Sequence, residues 1–130
     1  MAAETLRPRL LIAEDDRALA ETMRDVLQED FAVGLAADGN EAVARARDER
    51  PDVMVIDARM PRLDGFDACR ALRHDPRTAD MPIIMVTGGT EPTLATEAFA
   101  AGATDYMAKP FSISQLRSRA MTCLLRRQAV

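Results

Sequence analysis

The chain has 130 residues, a formal net charge of −4 and an apolar content of 48 %. This length suits a single compact domain over residues 1–130, and the acidic balance argues against a domain that binds nucleic acid directly. Because no apolar run approaches the roughly 20 residues that span a membrane, and Met1–Arg9 lacks the apolar core of a signal peptide, we expect a cytoplasmic protein without membrane contact.

Short apolar runs alternate with helical patterns along the whole chain. Five runs have the length and the flanking turn residues of buried strands, and apolar residues at helical spacing follow each of them. Ser112 and Gln115 match a capping box at the start of the last helix. In chain order, the predicted elements are strand Leu10–Ala13, helix Ala18–Gln28, strand Phe31–Ala36, helix Glu41–Asp48, strand Val53–Ile56, helix Phe66–Arg73, strand Ile83–Val86, helix Leu94–Ala101, strand Thr104–Ala108 and a helix after Ser112.

This alternation predicts an α/β fold, a doubly wound parallel sheet of five strands with five helices on its two faces. In open sheets of this kind, ligands bind outside the carboxyl ends of the strands. The residues that carry chemistry are therefore expected directly after the strands.

Polar residues follow four of the predicted strands. Carboxylates that meet at one edge of a sheet repel each other, and a bound cation is the usual remedy. An all-oxygen set of ligands suits Mg²⁺. Singly, these residues have simpler explanations, since Asp16 suits the N-cap of the first helix and Lys109 suits a solvated surface position. In chain order, the polar residues are Glu14, Asp15 and Asp16, then Asp57, Thr87 and Lys109.

Taken together, these motifs resemble the receiver domains of response regulators in two-component signalling, including chemotaxis regulators. The resemblance covers residues 9–127, which we take as the core of the domain. It implies a flavodoxin-like sheet with the strand order 2-1-3-4-5. The segments that carry it are Leu10–Asp16, Asp57 with Met60-Pro61 and Asp64-Gly65, Pro82–Thr87, Gly102–Tyr106, and Lys109–Phe111.

The resemblance implies a phosphoacceptor and a metal site. Asp57 would receive a phosphoryl group from the phosphohistidine of a sensor histidine kinase or a histidine phosphotransfer protein, forming an aspartyl phosphate. Asp15, Asp57 and the backbone carbonyl of Arg59 would bind Mg²⁺ directly, and Glu14 would hold the ion through water. The chain would then be a signalling switch that catalyses only its own phosphorylation and dephosphorylation.

The resemblance also implies how the switch works. Lys109, joined to Pro110 by a cis peptide, would pair with phosphoryl oxygens, and the Thr87 hydroxyl would donate a hydrogen bond to them. Thr87 would move inward and Tyr106 would rotate into the space that it leaves. This movement would change the face made by the fourth helix, the fifth strand and the fifth helix, which could contact an output partner, a downstream effector domain or a second copy of the chain.

Other functions remain open at this point. A protein-binding module with the same fold would act without phosphorylation. A phosphatase with an aspartate nucleophile usually has a second acid two residues later, where this chain has Arg59. A flavin carrier would need a phosphate-binding loop rich in Ser, Thr and Gly after the first strand, and the chain has acids there.

Two residues near the expected acceptor indicate how long an aspartyl phosphate would last. Arg59 could contact phosphoryl oxygens or block an attacking water molecule. Gly89, two residues after Thr87, has no side chain with which to orient that water. We therefore expect slow self-hydrolysis.

Overall fold

The computed structural model describes residues 7–129. The prediction that Met1–Arg9 has no signal-peptide core falls mostly on the first six residues, which lie outside this range. The described chain alternates strands and helices as the sequence predicts. Strands β1–β5 are Arg9–Ala13, Ala32–Ala36, Val53–Asp57, Ile83–Thr87 and Asp105–Ala108. Helices α1–α5 are Arg17–Leu27, Gly39–Glu49, Gly65–Arg73, Leu94–Ala101 and Ile113–Ala129.

The strands form one parallel sheet in the order β2-β1-β3-β4-β5. Every residue of β3 and β4 is buried, because helices cover both faces of the sheet. This is why their sequences are continuous apolar runs rather than alternating ones. The doubly wound fold and the strand order are both confirmed.

Alternate strand residues build two separate halves of the core. Leu11, Met54 and Met85 point to the face covered by α2, α3 and α4. Val55 and Ile84 point to the opposite face, which α1 and α5 cover. Each large apolar side chain buried in this way contributes about 1.5–3 kcal/mol to folding. The sheet is therefore held from both sides, and its carboxyl edge has a fixed position.

Aspartates fix the starting points of the first three helices. Asp16, Asp38 and Asp64 are N-caps whose side chains accept the backbone N–H three residues later, at 3.2, 2.8 and 2.9 Å. The predicted capping role of Asp16 is confirmed. By contrast, α4 begins after Thr93 without a side-chain hydrogen bond from that residue. No helix among residues 7–129 is long and apolar enough to cross a membrane.

Two strands extend one residue further at their carboxyl ends than the sequence predicts. Asp57 pairs with Val86, and Thr87 pairs with Ala108, so both polar residues end a strand instead of following one. The ladder continues because backbone hydrogen bonding does not depend on whether the side chain is apolar. Asp57 and Thr87 are thus fixed by the sheet itself.

The open edge of the sheet at β2 is covered by an arginine. The carbonyl of Ala36 accepts from the Glu14 N–H at 3.0 Å, toward β1, so the carbonyl of Leu35 faces outward. The Arg45 guanidinium donates to that outward carbonyl. It crosses Gly34, where a Cβ atom would lie 2.7 Å from Arg45 Nη2. Part of the β2 edge is therefore already hydrogen-bonded.

At the other end of the strands, Arg73 joins the segments that precede β4 and β5. Its guanidinium donates to the carbonyls of Met81 at 2.6 Å, Ala79 at 3.0 Å and Gly102 at 2.8 Å. A further bond reaches Thr104 Oγ1 at 3.3 Å. Burial lowers the pKa of Arg73, and no carboxylate among residues 7–129 forms an ion pair with it. Its hydrogen-bond partners are neutral oxygens, most of them backbone carbonyls.

We expect Arg73→Leu to lower the free energy of unfolding by about 2–3 kcal/mol, because several partly buried carbonyls lose a charged donor. Urea denaturation followed by circular dichroism measures this change. Arg70→Leu is the matched control on the same helix, since within residues 7–129 the Arg70 side chain pairs only with Asp67 at the surface and its loss should cost about 0.5 kcal/mol or less. Equal effects of the two substitutions would contradict the role assigned to Arg73.

Candidate functional site

Three carboxylates converge at the carboxyl edge of the sheet. Glu14 and Asp15 follow β1, and Asp57 ends the neighbouring strand β3. Each offers an oxygen within 4.8 Å of the other two. Glu14 and Asp57 are buried, whereas Asp15 is exposed. The sequence predicted this convergence, and the adjacency of β1 and β3 produces it.

A lysine from the far side of the sheet reaches two of these acids. Lys109 follows β5, and its Nζ lies 2.9 Å from Glu14 Oε1 and 3.0 Å from Asp57 Oδ2. Its backbone N–H donates to the carbonyl of Thr87 at 2.7 Å, which fixes the start of the side chain. The peptide between Lys109 and Pro110 is cis, as the resemblance implies.

Burial sets the charge balance of this cluster. It raises the pKa of the Glu14 carboxyl to about 7, with Lys109 acting in the opposite direction and Asp57 adding to the rise. Burial alone would lower the pKa of Lys109, but its hydrogen bonds to Glu14 and Asp57 outweigh this effect and raise it. Lys109 therefore stays charged, and one ammonium group faces three acids.

The carboxylate and backbone of Asp57 are held closely by their neighbours. Asp57 Oδ1 accepts from the Arg59 N–H at 3.1 Å, while Oδ2 is occupied by Lys109. Gly65, the first residue of α3, packs against the backbone behind it. A Cβ atom at Gly65 would lie 2.3 Å from the Asp57 carbonyl oxygen and 2.7 Å from Ala58 Cα. Only glycine lets α3 begin so close to this strand end.

The Arg59 side chain points toward the loop after β4. Arg59 Nη2 lies 3.3 Å from Glu91 Oε1, and both side chains are largely exposed. A Cβ atom at Gly89 would lie 3.1 Å from the same Nη2. The sequence marked Arg59 and Gly89 as separate positions of interest, but it did not predict that Glu91 pairs with Arg59 beside Gly89.

Thr87 and Tyr106 lie on neighbouring strands at different depths. Thr87 is fully buried at the end of β4, and its hydroxyl accepts from the Gly89 N–H at 3.2 Å. Tyr106 pairs with Met85 within the sheet and packs, half-buried, against the core on the α4 side. Of the predicted site residues, Glu14, Asp15, Asp57 and Lys109 form one cluster, with the Arg59 backbone and Thr87 at its border and Tyr106 further back.

Sequence reasoning missed two contributors. Gly65 belonged to a quoted motif, yet the reason that it must be glycine is a contact with Asp57 that no local pattern reveals. Glu91 lies in a loop with no distinctive spacing, so nothing marked it as the partner of Arg59.

Comparison with known proteins gives concordant results. A family model described as the response regulator receiver domain matches residues 10–121. The response regulator MprA of Mycolicibacterium vanbaalenii is 42 % identical over 120 residues, covering 92 % of this chain and 51 % of that protein. The chain thus spans about half the length of the curated relatives that it matches.

Solved structures agree with this similarity. The receiver domain of the Francisella response regulator 1452 is 31 % identical, with a TM-score of 0.87 over 93 % of this chain and 99 % of that one. The receiver domain of the sensor histidine kinase PA1611 from Pseudomonas aeruginosa is 31 % identical, with a TM-score of 0.81 over 91 % of this chain and 98 % of that one. The latter structure has a magnesium ion coordinated in its active-site cleft.

We expect Gly65→Ala to destabilise the protein by about 2 kcal/mol or more, because the added methyl group overlaps the backbone of Asp57 and Ala58. Thermal and urea unfolding measure the loss. Gly88→Ala is the control at the same edge of the sheet, since a Cβ atom there meets nothing closer than Lys109 Cδ at 3.9 Å. A tolerated Gly65→Ala would show that α3 can shift without cost.

Proposed function

The chain belongs to the response regulator receiver domain family of two-component signalling, and on this premise we propose that it accepts a phosphoryl group on Asp57 in a Mg²⁺-dependent reaction. The observation that carries the proposal is the Lys109 ammonium group, 3.0 Å from Asp57 Oδ2 beside a cluster of three acids. A nucleophilic carboxylate, a cation for phosphoryl oxygens and a set of metal ligands thus occur together.

The proposed reaction is nucleophilic substitution at phosphorus. An Asp57 carboxylate oxygen forms a bond with phosphorus while the bond from phosphorus to the histidine nitrogen of the donor breaks, and the leaving imidazole takes up a proton. Lys109 and the Thr87 hydroxyl would bind phosphoryl oxygens. The Arg59 N–H, 3.1 Å from Oδ1, orients the nucleophile before the donor arrives. Phosphoryl transfer depends mainly on positioning and charge stabilisation, so few residues suffice.

The acidic cluster fits Mg²⁺ by its chemistry. Its donors are carboxylate oxygens within 4.8 Å of one another, and a single lysine does not neutralise them. Asp15, Asp57 and the carbonyl of Arg59 would hold the ion directly, and Glu14 would do so through water. When bound, the ion offsets the repulsion between the anionic nucleophile and the anionic phosphoryl group.

The output would be a shift between two conformations. Thr87 would leave its hydrogen bond with the Gly89 N–H to reach the phosphoryl group, and Tyr106, now half-buried, would turn inward. The α4–β5–α5 face would change as a result. Slow hydrolysis would give this state a long life, with Arg59 as the responsible residue and Gly89 offering no side chain to the attacking water.

The proposed partners follow from family membership. A sensor histidine kinase or a histidine phosphotransfer protein would supply the phosphoryl group, and an output partner or effector domain would read the changed face. Since the relatives are about twice as long as this chain, they have room for such a domain. A homodimer through α4–β5–α5, a single domain with its core at 9–127 and a cytoplasmic location complete the proposal.

Incubation with Mg²⁺ and acetyl phosphate should add one phosphoryl group to the protein, because Asp57 is positioned to attack the donor. Intact-protein mass spectrometry detects the addition, which Asp57→Ala and EDTA should each abolish. Asp67→Ala, at an exposed acid on α3, is the control and should be phosphorylated normally. An unmodified but folded wild-type protein would instead favour a binding module that acts without phosphorylation.

Mg²⁺ should stabilise the wild-type protein against heat, by about 2.7 kcal/mol at 100 times its Kd. Asp15→Asn should lose most of this response. It should not destabilise the metal-free protein, because a charge is removed from a crowded acidic cluster. Differential scanning calorimetry measures both effects.

The neighbouring Asp16→Asn serves as the matched control for this experiment. Asn caps a helix as well as Asp does, and Asp16 is outside the three-acid cluster, so its Mg²⁺ response should persist. If Asp15→Asn responded to Mg²⁺ as strongly as the wild-type protein, the proposed ligand set would be wrong.

A further inference from the structure

The backbone of Arg59 contacts Asp57, whereas its side chain points away from Asp57 toward the next loop. Its N–H donates to Asp57 Oδ1 at 3.1 Å. Its guanidinium, however, lies 3.3 Å from Glu91 Oε1, in the loop that follows β4. The pair thus joins the two loops that border the acidic cluster.

Gly89 makes the space in which this pair forms. A Cβ atom at Gly89 would lie 2.7 Å from Glu91 Oε2 and 3.1 Å from Arg59 Nη2. Its N–H also donates to the Thr87 hydroxyl, which places the pair directly beside the buried end of β4. A larger residue at this position would meet Leu94 Cδ1, 2.4 Å from a Cβ atom, and would also crowd both charged groups.

The ion pair between Arg59 and Glu91 is weak enough to be replaced by a stronger contact. The Arg59 and Glu91 side chains are 63 % and 57 % exposed, and an ion pair in such a position is weak because water screens it. A phosphoryl group on Asp57 would carry more negative charge than one carboxylate and would offer several acceptor oxygens. Guanidinium groups bind such oxygens in a bidentate manner, so the interaction of Arg59 with the phosphoryl group would be stronger than its interaction with Glu91.

We propose that Glu91 sets the lifetime of the phosphorylated state by competing with the phosphoryl group for Arg59. This inference rests on the proposed phosphorylation of Asp57. In hydrolysis, a water oxygen bonds to phosphorus as the bond to the Asp57 carboxylate breaks, and the phosphate that leaves keeps the proton released by the water. When the Arg59 guanidinium contacts the phosphoryl oxygens, it blocks the approach of that water. When Glu91 pairs with Arg59 instead, the guanidinium is drawn away from the phosphoryl group. Glu91 is therefore a positioning residue that acts through Arg59.

The test compares rates of phosphate loss in four variants. Each protein is phosphorylated with acetyl phosphate and Mg²⁺, freed of the donor by desalting, and followed by intact-protein mass spectrometry. The phosphorylated Glu91→Gln variant should have a half-life about two- to five-fold longer than that of the phosphorylated wild-type protein. This range corresponds to the free energy of an exposed ion pair. The same substitution in an Arg59→Ala background should have no effect, since the competing cation is gone.

Glu97→Gln is the matched control. Glu97 is an exposed acid on α4, forms no ion pair among residues 7–129, and its loss changes the net charge equally. Its half-life should equal that of the wild-type protein. If Glu97→Gln changed the half-life as much as Glu91→Gln does, the effect would be due to net charge alone, and the proposal would be overturned.

The remaining outcomes separate this inference from the function on which it rests. An unchanged or shorter half-life in Glu91→Gln would overturn it, as would an equal change with and without Arg59, although Asp57 would still be phosphorylated. A wild-type protein that gains no phosphoryl group in the first step would overturn the proposed function itself.

Discussion

One ammonium group placed between two buried carboxylates is the constraint on which the site depends. Lys109 bonds to both Glu14 and Asp57, at 2.9 and 3.0 Å, and without it these acids would face each other in a poorly solvated cluster. The three groups lie at the carboxyl ends of β1, β3 and β5, so the contact exists only if these strands and β4 between them are parallel and in this order. The covered, apolar β3 and β4 supply that order, and the charged edge is the cost of opening the sheet to a ligand.

The sequence predicted most of this arrangement and failed where one loop meets another. Asp57 stood out because a charged residue at the end of a buried strand needs a partner, and the position of Lys109 directly after the fifth predicted strand, together with the family resemblance, marked it as a candidate. The direction of the Arg59 side chain depends on free space above Gly89, in a loop 30 residues later. The requirement for glycine at Gly65 likewise arises from packing against Asp57. Neither contact leaves a trace in local periodicity, and both concern the surroundings of the acceptor.

The connections around the sheet differ in how firmly they are held. Arg73 binds several neutral oxygens before β4 and β5, and three aspartates cap the helices that follow β1, β2 and β3. The connection from β4 to α4 has no such cap at Thr93, and its contact with Arg59 is an exposed ion pair. The loop between β4 and α4 is therefore held less firmly than these connections, and it is one of the loops that the proposed phosphorylation of Asp57 would rearrange.

Arg45 has a consequence for the protein at high concentration. A free edge strand offers unpaired backbone groups to any extended chain, and sheets left open in this way grow into fibres and aggregates. The Arg45 guanidinium already occupies the outward carbonyl of Leu35, and it covers Gly34, the one residue of β2 without a side chain of its own. A passing strand would first have to displace a charged group that is also held by Glu49. Arg45 thus blocks one of the outward backbone groups through which crowded copies could extend the sheet across β2.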